Sequence, residues 1–189
     1  IAIIYALFVR TLAYRFTNWD DQWLIVTNPV MMESPLAAFK TIWMDFSPET
    51  RKLLGSEYLP VRDTTVLLVR QMFGYFPVVH HAVSLFFFLL GCTLLFVLLF
   101  EFSQNLPAVS VSTLLFAVHP TRVESVAWVS ELKGLLSFNF LVAGLLFLIW
   151  RARLQDAPLR KRAPLFLVAT LCFSAAVLSK STSVIFLPL

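Results

Sequence analysis

Charge and glycine are scarce in this sequence. Only 14% of its residues are charged and only five are glycine, where ordinary soluble domains carry roughly 25% charged residues and about 7% glycine. So few charges cannot solvate the surface of a soluble domain of this length. The two cysteines, Cys92 and Cys172, lie far apart in apolar runs. Neither disulfide-framework nor metal-site spacing is present, and they read as small core residues. No G-x-x-x-x-G-K-[ST], H-E-x-x-H, C-x-x-C or G-x-S-x-G string occurs, so nucleotide-driven, zinc-protease and serine-hydrolase chemistries have no support. A divalent metal is not indicated. The net charge of +4 does not mark a nucleic-acid binder either, because the positive excess sits in one loop.

What the sequence has in abundance is oil. It is 59% hydrophobic with a mean hydropathy of +0.80, which predicts an all-α membrane protein. A spanning helix needs roughly 20 mostly apolar residues. The candidate spans are 1–16, 78–100, 106–118, 132–150 and 164–178, the first and third short. Residues 1–16 lack the basic n-region and small-residue cleavage site of a signal peptide, and read as a truncated first helix. With no initiator Met and an end inside "SVIFLPL", the chain is expected to be a fragment of a longer protein.

The loop "RARLQDAPLRKRAP" carries Arg151, Arg153, Arg160, Lys161 and Arg162. Loops rich in Lys and Arg stay cytoplasmic, so residues 17–77 and "HPTRVESVAWVSELK" are expected outside the cytoplasm, with the "SQNLP" turn inside it. A connection as long as 17–77 is usually functional. Within it Ser34 is a candidate N-cap with Pro35 behind it, and Leu36, Phe39, Ile42, Trp43 and Phe46 recur at helical spacing opposite Lys40 and Asp45. This predicts an amphipathic helix lying in the interface. A second helix is expected over 63–73, closed by Gly74.

Polar groups beside hydrocarbon are expensive and mark candidate sites. In "FTNWDDQWLIVTNP", Asp20 and Asp21 stand between Trp19 and Trp23 at the mouth of span one. They are either solvated loop acids among aromatic-belt anchors or one wall of a site. "HPTRVESVAWVSELK" supplies His119, Arg122, Glu124, Glu131 and Lys133. Read as one continuous helix from Pro120, it puts Glu124, Trp128 and Glu131 on one face with Arg122 turned away. The topology brings that face to the side of the Asp pair, as acid/base chemistry would require; the plainer reading is a hairpin with snorkelling charges. His80 and His81 open span two and read as structural. Lys180, at the outer end of span five, either snorkels or binds phosphate as a point charge.

The order of these strings carries a resemblance. "WDDQWLIVTNP", "YLPVR", "HPTRVESVAWVSELKGLLS" and "LSKSTSVIFLPL" together resemble the N-terminal membrane region of the transmembrane-and-TPR-repeat O-mannosyltransferases and their bacterial relatives, polytopic glycosyltransferases of the GT-C type. The resemblance covers nearly the whole chain. It implies a GT-C-like helix bundle with a long helical first outer loop, in a bacterial inner membrane or the endoplasmic reticulum membrane, with its site on the outer or luminal side. The implied donor is a polyprenyl-phosphate-linked sugar, the acceptor a hydroxyl of a protein or glycan, and the surrounding partner membrane lipid; no nucleic acid is involved. It assigns the base to Asp20 or Asp21, with Asp20 narrowly preferred as the first acid after the span. Glu124 would bind a hydroxyl, His119, Arg122, Lys133 and Lys180 the leaving phosphate, and Trp19 and Trp128 a sugar ring or lipid tail. This chain departs from the family pattern at Leu132, where an Arg is usual, at Ser181 in place of an acid, and at Ser84 in place of Asn. A TPR-linked scaffold without catalysis and a lipid or small-molecule transporter are the alternatives; acids gathered at one face, rather than at midplane, favour the enzyme over the transporter.

Overall fold

A computed structural model describes residues 1–154, 156 and 158–186. Gln155 and Ala157 of the basic loop, and the last three residues of "LSKSTSVIFLPL", lie outside them. Among the described residues the regular elements are helices, and none is a strand. Helix α1 (Ala2–Phe8) runs on as a 3-10 turn, Val9–Ala13. Then come α2 (Pro35–Met44), α3 (Pro48–Leu53) and α4 (Pro60–Phe73). They are followed by α5 (Pro77–Ser103), α6 (Leu106–Val118), α7 (Thr121–Ala127), α8 (Leu132–Ala152) and α9 (Leu159–Ser179).

Proline starts several of these helices because its fixed φ suits the first turn and its missing N–H is no loss there. Helix α5 is apolar all round, as a helix surrounded by hydrocarbon must be, and its 27 residues extend roughly 40 Å. It ends where Gln104 turns left-handed at φ +52. Asn105 then caps α6, its side-chain oxygen accepting from the Ala108 N–H at 3.1 Å. Three helical stretches, Pro77–Ser103, Val129–Ala152 and Leu159–Ser179, are long and apolar enough to cross a membrane. The expected first and third spans are helical and apolar but shorter. Helix α6 keeps its expected bounds, yet its 13 residues reach only about 20 Å of a roughly 30 Å core. The first span ends at Ala13, with Tyr14 already extended at ψ 153.

Close helix approach depends on small residues. A Cβ at Gly91 of α5 would lie 3.0 Å from the Phe138 ring of α8, and one at Gly144 of α8 would lie 3.3 Å from Cys172 and Phe173 of α9. Beside Gly91, the Asn139 amide donates to the Phe87 carbonyl at 2.8 Å, joining α8 to α5. One apolar cluster gathers Ile4, Phe8, Leu85, Phe88, Val126 and Leu135. A second lies under the 17–77 segment and joins Leu24, Ile25, Ile42, Val66, Leu67, Val129 and Leu132.

The 17–77 segment is helical as expected, with differences. Ser34 stands at the N-cap of α2 without a side-chain capping bond, and α4 begins at Pro60 and ends at Gly74, φ +78. Helix α3 is an addition, its cap formed by Ser47 accepting from the Thr50 N–H. Only part of the expected stripe on α2 packs against the chain itself. Ala38 and Ile42 are buried, whereas Leu36 is 67% and Phe46 66% exposed. Phe46 lies past the helix end, where the period no longer applies, and the helix turns its smaller residues to α4. Trp43 remains at the boundary, its indole N–H donating to Thr64 Oγ1 at 2.9 Å.

The continuous helix expected over "HPTRVESVAWVSELK" is corrected. It breaks at Trp128, extended at φ −97, ψ 112, and resumes through a 3-10 turn, Val129–Glu131. The physical reason is competition for one amide. A continuous helix would give the Ser130 N–H to the Val126 carbonyl, but that N–H donates instead to Asp21 Oδ1 at 2.9 Å.

Candidate functional site

The two aspartates of "WDD" have opposite environments. Asp21 is fully buried and both oxygens are engaged. Oδ2 accepts from the Thr17 N–H at 3.0 Å and the Thr17 hydroxyl at 2.8 Å. Oδ1 accepts from the Ser130 N–H at 2.9 Å and the Ser130 hydroxyl at 2.6 Å. This carboxylate is a clasp between the start of the 17–77 segment and the break before α8. Asp20 is half-buried, and its side chain makes no hydrogen bond or ion pair among the described residues. Of the pair, Asp20 keeps its lone pairs for something else.

The clasp brings two distant segments together. Consecutive Cα atoms are 3.8 Å apart, so Asp20 lies close to the 128–133 segment through its neighbour. On that segment Glu131 pairs with Lys180 at 3.2 Å, and Lys133 pairs with Glu57 at 3.2 Å. Ser181 donates to the other Glu57 oxygen at 3.3 Å. Glu57, from the turn between α3 and α4, thus ties the 17–77 segment to the start of α8 and the end of α9. Gly134 leaves room for this: a Cβ there would lie 3.0 Å from Glu131 Oε2 and 3.5 Å from Lys180 Nζ. The four charged side chains are partly exposed, from 18% at Glu131 to 38% at Glu57. Both lysines therefore meet water, and each already has an internal counter-ion.

The other site residues read from the sequence are dispersed. His119 is exposed and closes its own turn, its Nδ1 lying 2.9 Å from the Thr121 hydroxyl and accepting from the Thr121 N–H at 3.3 Å. Arg122 donates to that same hydroxyl at 2.9 Å and lies over the Phe116 ring at 5.0 Å. Glu124 is exposed on α7, and the break at Trp128 removes the shared helical face with Glu131. Trp128 is half-buried and Trp19 is 72% exposed. At the departures from the family pattern, Leu132 is a core residue, 2% exposed, and Ser84 is fully buried.

Arginines of the 17–77 segment donate to backbone carbonyls. Arg51 donates to Thr41 O at 3.1 Å and closes α2; Arg62 donates to Leu54 O at 2.9 Å; Arg70 donates to Ile25 O at 3.2 Å. Arg62 also lies 2.6 Å from Asp63, both buried. Burial pushes the Asp63 carboxyl up to about 6, against the opposing pull of Arg62. Asp45 lies at the other extreme: bonds from the Thr50 hydroxyl and the Ser47 N–H hold its carboxyl down at about 2.

Sequence reading missed Glu57, Ser130 and Thr17. For Glu57 a signal was available, an acid immediately before the quoted "YLPVR". For Ser130 and Thr17 there was none, since a hydroxyl beside an apolar run is ordinary. No group of three or more His, Cys, Asp or Glu side chains that could hold a metal ion is found among the described residues. No family model, curated protein or solved structure matches this chain.

Proposed function

We propose that this chain transfers a sugar from a polyprenyl-phosphate-linked donor to an acceptor hydroxyl on the extracytoplasmic side of a membrane, within a GT-C-like helix bundle. The observation that carries the reading is the division of labour in the Asp pair. Asp21 is consumed by four hydrogen bonds, which leaves Asp20 as the unpaired carboxylate of the two, one residue from the clasp onto the segment that carries Glu131 and Lys133.

In this reading Asp20 accepts the proton of the acceptor hydroxyl as its oxygen attacks the anomeric carbon. A new C–O bond forms, the bond from the anomeric carbon to the lipid phosphate breaks, and configuration inverts. The phosphate departs carrying the bonding pair. Lys133 and Lys180 stabilise it by exchanging Glu57 and Glu131 for its oxygens. In this reading His119, Arg122 and Glu124 would meet donor or acceptor as it arrives, and the apolar faces of Trp19 and Trp128 would meet a ring or a lipid tail.

A second reading, a TPR-linked membrane scaffold without catalysis, is favoured by one specific observation. Each lysine is already neutralised by a carboxylate, and Ser181 completes the network, as a purely structural tie would require. Transfer from a radiolabelled polyprenyl-phosphate sugar separates the two. The transferase reading expects Asp20→Asn to lower transfer by about 10²–10⁴-fold, the usual share of general-base catalysis, at unchanged abundance in the membrane. Full transfer by Asp20→Asn refutes the assignment, and no transfer by the unaltered chain leaves the scaffold.

A further inference from the structure

We propose that the cleft between the turn Gln22–Val26 and α3 binds a neutral saccharide. The cleft has a volume of about 720 Å³, within the roughly 300–1,000 Å³ of ligand-binding clefts. Trp23, Thr27, Pro29, Glu49, Lys52 and Ser56 line it, none of them used by the transfer chemistry above.

The lining selects the ligand class. Trp23 is 43% exposed, so an indole faces the cleft rather than the core. Its Cη2 would lie 4.0 Å from a Cβ at Gly55, a residue at φ +92. The ring edge thus lies alongside the Gly55 turn and forms one wall of the cleft. Glu49 and Lys52, one helical step apart on α3, make no side-chain hydrogen bond or ion pair among the described residues. Their charges cancel across the rim. An anion or a cation would be attracted by one and repelled by the other, whereas a neutral ligand can donate to the carboxylate and accept from the ammonium. The Thr27 hydroxyl donates to the Gln22 carbonyl at 2.9 Å, which leaves it an acceptor, while Ser56 Oγ makes no hydrogen bond among the described residues. An apolar wall with a fringe of donors and acceptors and no net charge matches a sugar ring, which has a C–H face and hydroxyl edges. An acyl chain would leave that fringe unpaired, at a cost. Ser56 is followed directly by Glu57, which holds Lys133, so a bound saccharide lies next to the lysine network.

The test is ligand-detected saturation-transfer NMR on the whole chain in lipid nanodiscs. Mannotriose, maltotriose and chitotriose are the probes, and Ala-Thr-Ala amide is a neutral, hydroxyl-bearing control. At least one trisaccharide is expected to bind, about tenfold more weakly after Trp23→Ala and about threefold more weakly after Glu49→Gln or Lys52→Gln. Lys40→Gln is expected to bind normally, and salt at about 0.5 M to change affinity less than about twofold, because the ligand carries no charge. Absence of binding by all three sugars, affinity unchanged in both Glu49→Gln and Lys52→Gln, or tighter binding of the tripeptide overturns the proposal. The two polar variants alter exposed rim side chains, so they decide the matter even if Trp23→Ala misfolds. Transfer activity is read separately: a chain that transfers sugar but binds none of the probes overturns the cleft alone, and one that binds without transferring leaves the cleft standing.

Discussion

Replacing Asp21 by Asn tests the clasp without changing its shape. The carboxylate accepts from two N–H groups and two hydroxyls at a position with no solvent exposure. Asparagine keeps one acceptor oxygen, which can serve either Thr17 or Ser130. On the other side its NH₂ meets an N–H and a hydroxyl. The hydroxyl can rotate to accept, but the N–H cannot and is left buried and unpaired. An unmet buried donor costs about 1–3 kcal/mol, and exchanging charged for neutral hydrogen bonds on the retained side adds about 1 kcal/mol. The expected destabilisation is about 2–4 kcal/mol, or roughly 5–15 °C in Tm for a chain of this size. Asp20→Asn, which breaks no bond, should remain within about 0.5 kcal/mol of the parent. Thermal unfolding of both variants in the same nanodiscs, followed by tryptophan fluorescence, gives the comparison. Equal stability of Asp21→Asn and parent, or an equal loss in Asp20→Asn, refutes the assignment of the structural role to Asp21 and the free role to Asp20.

Asp63 gives the 17–77 segment a pH dependence of definite sign. Its folded value of about 6 lies above its ordinary 3.8, so the folded chain binds the extra proton between those values. Stability is full below about pH 4 and falls by about 3 kcal/mol as pH rises through about 6; Asp63→Asn should flatten that slope in urea titrations at pH 4 to 7, and an unchanged slope would assign it elsewhere. Reporter fusions after Glu49 and after Arg153 are expected to give opposite sidedness, because the basic loop should stay cytoplasmic; identical signals would remove the extracytoplasmic placement on which the transfer reading depends.

The helices were legible wherever a single local rule decides. Uninterrupted apolar runs gave α5, α6 and α8 nearly to their ends, though α9 starts at Leu159 inside the basic loop; Pro35 marked the start of α2 and Gly74 the stop of α4, whereas the start of α4 at Pro60 was placed three residues late. Local rules failed where a distant partner overrides them. On α2 the pattern of large residues identified the helix but only part of its buried side: Ile42 belongs to it, whereas Ala38, equally buried, is too small to register as part of a hydrophobic stripe. At Trp128 no breaker residue is present. The break is set by the bond from Ser130 to Asp21, 109 positions away along the chain.

That same bond explains why sequence alone gave the Asp pair only a narrow ordering. Adjacent acids of one type, flanked by tryptophans, differ in nothing local; what separates them is which one meets Ser130. Once Asp21 takes the Ser130 N–H, three features follow from a single contact. The helix must break before α8, since the amide that would continue it is spent. Glu131 and Lys133 are then set by the 3-10 turn and the first turn of α8, where they meet Lys180 and Glu57. Asp20, unable to share donors already engaged, is left unpaired at the boundary. The chemistry of the proposed site therefore rests on a residue that takes no part in it, and a substitution at Asp21 would disturb both the lysine network and the placement of Asp20 without touching either.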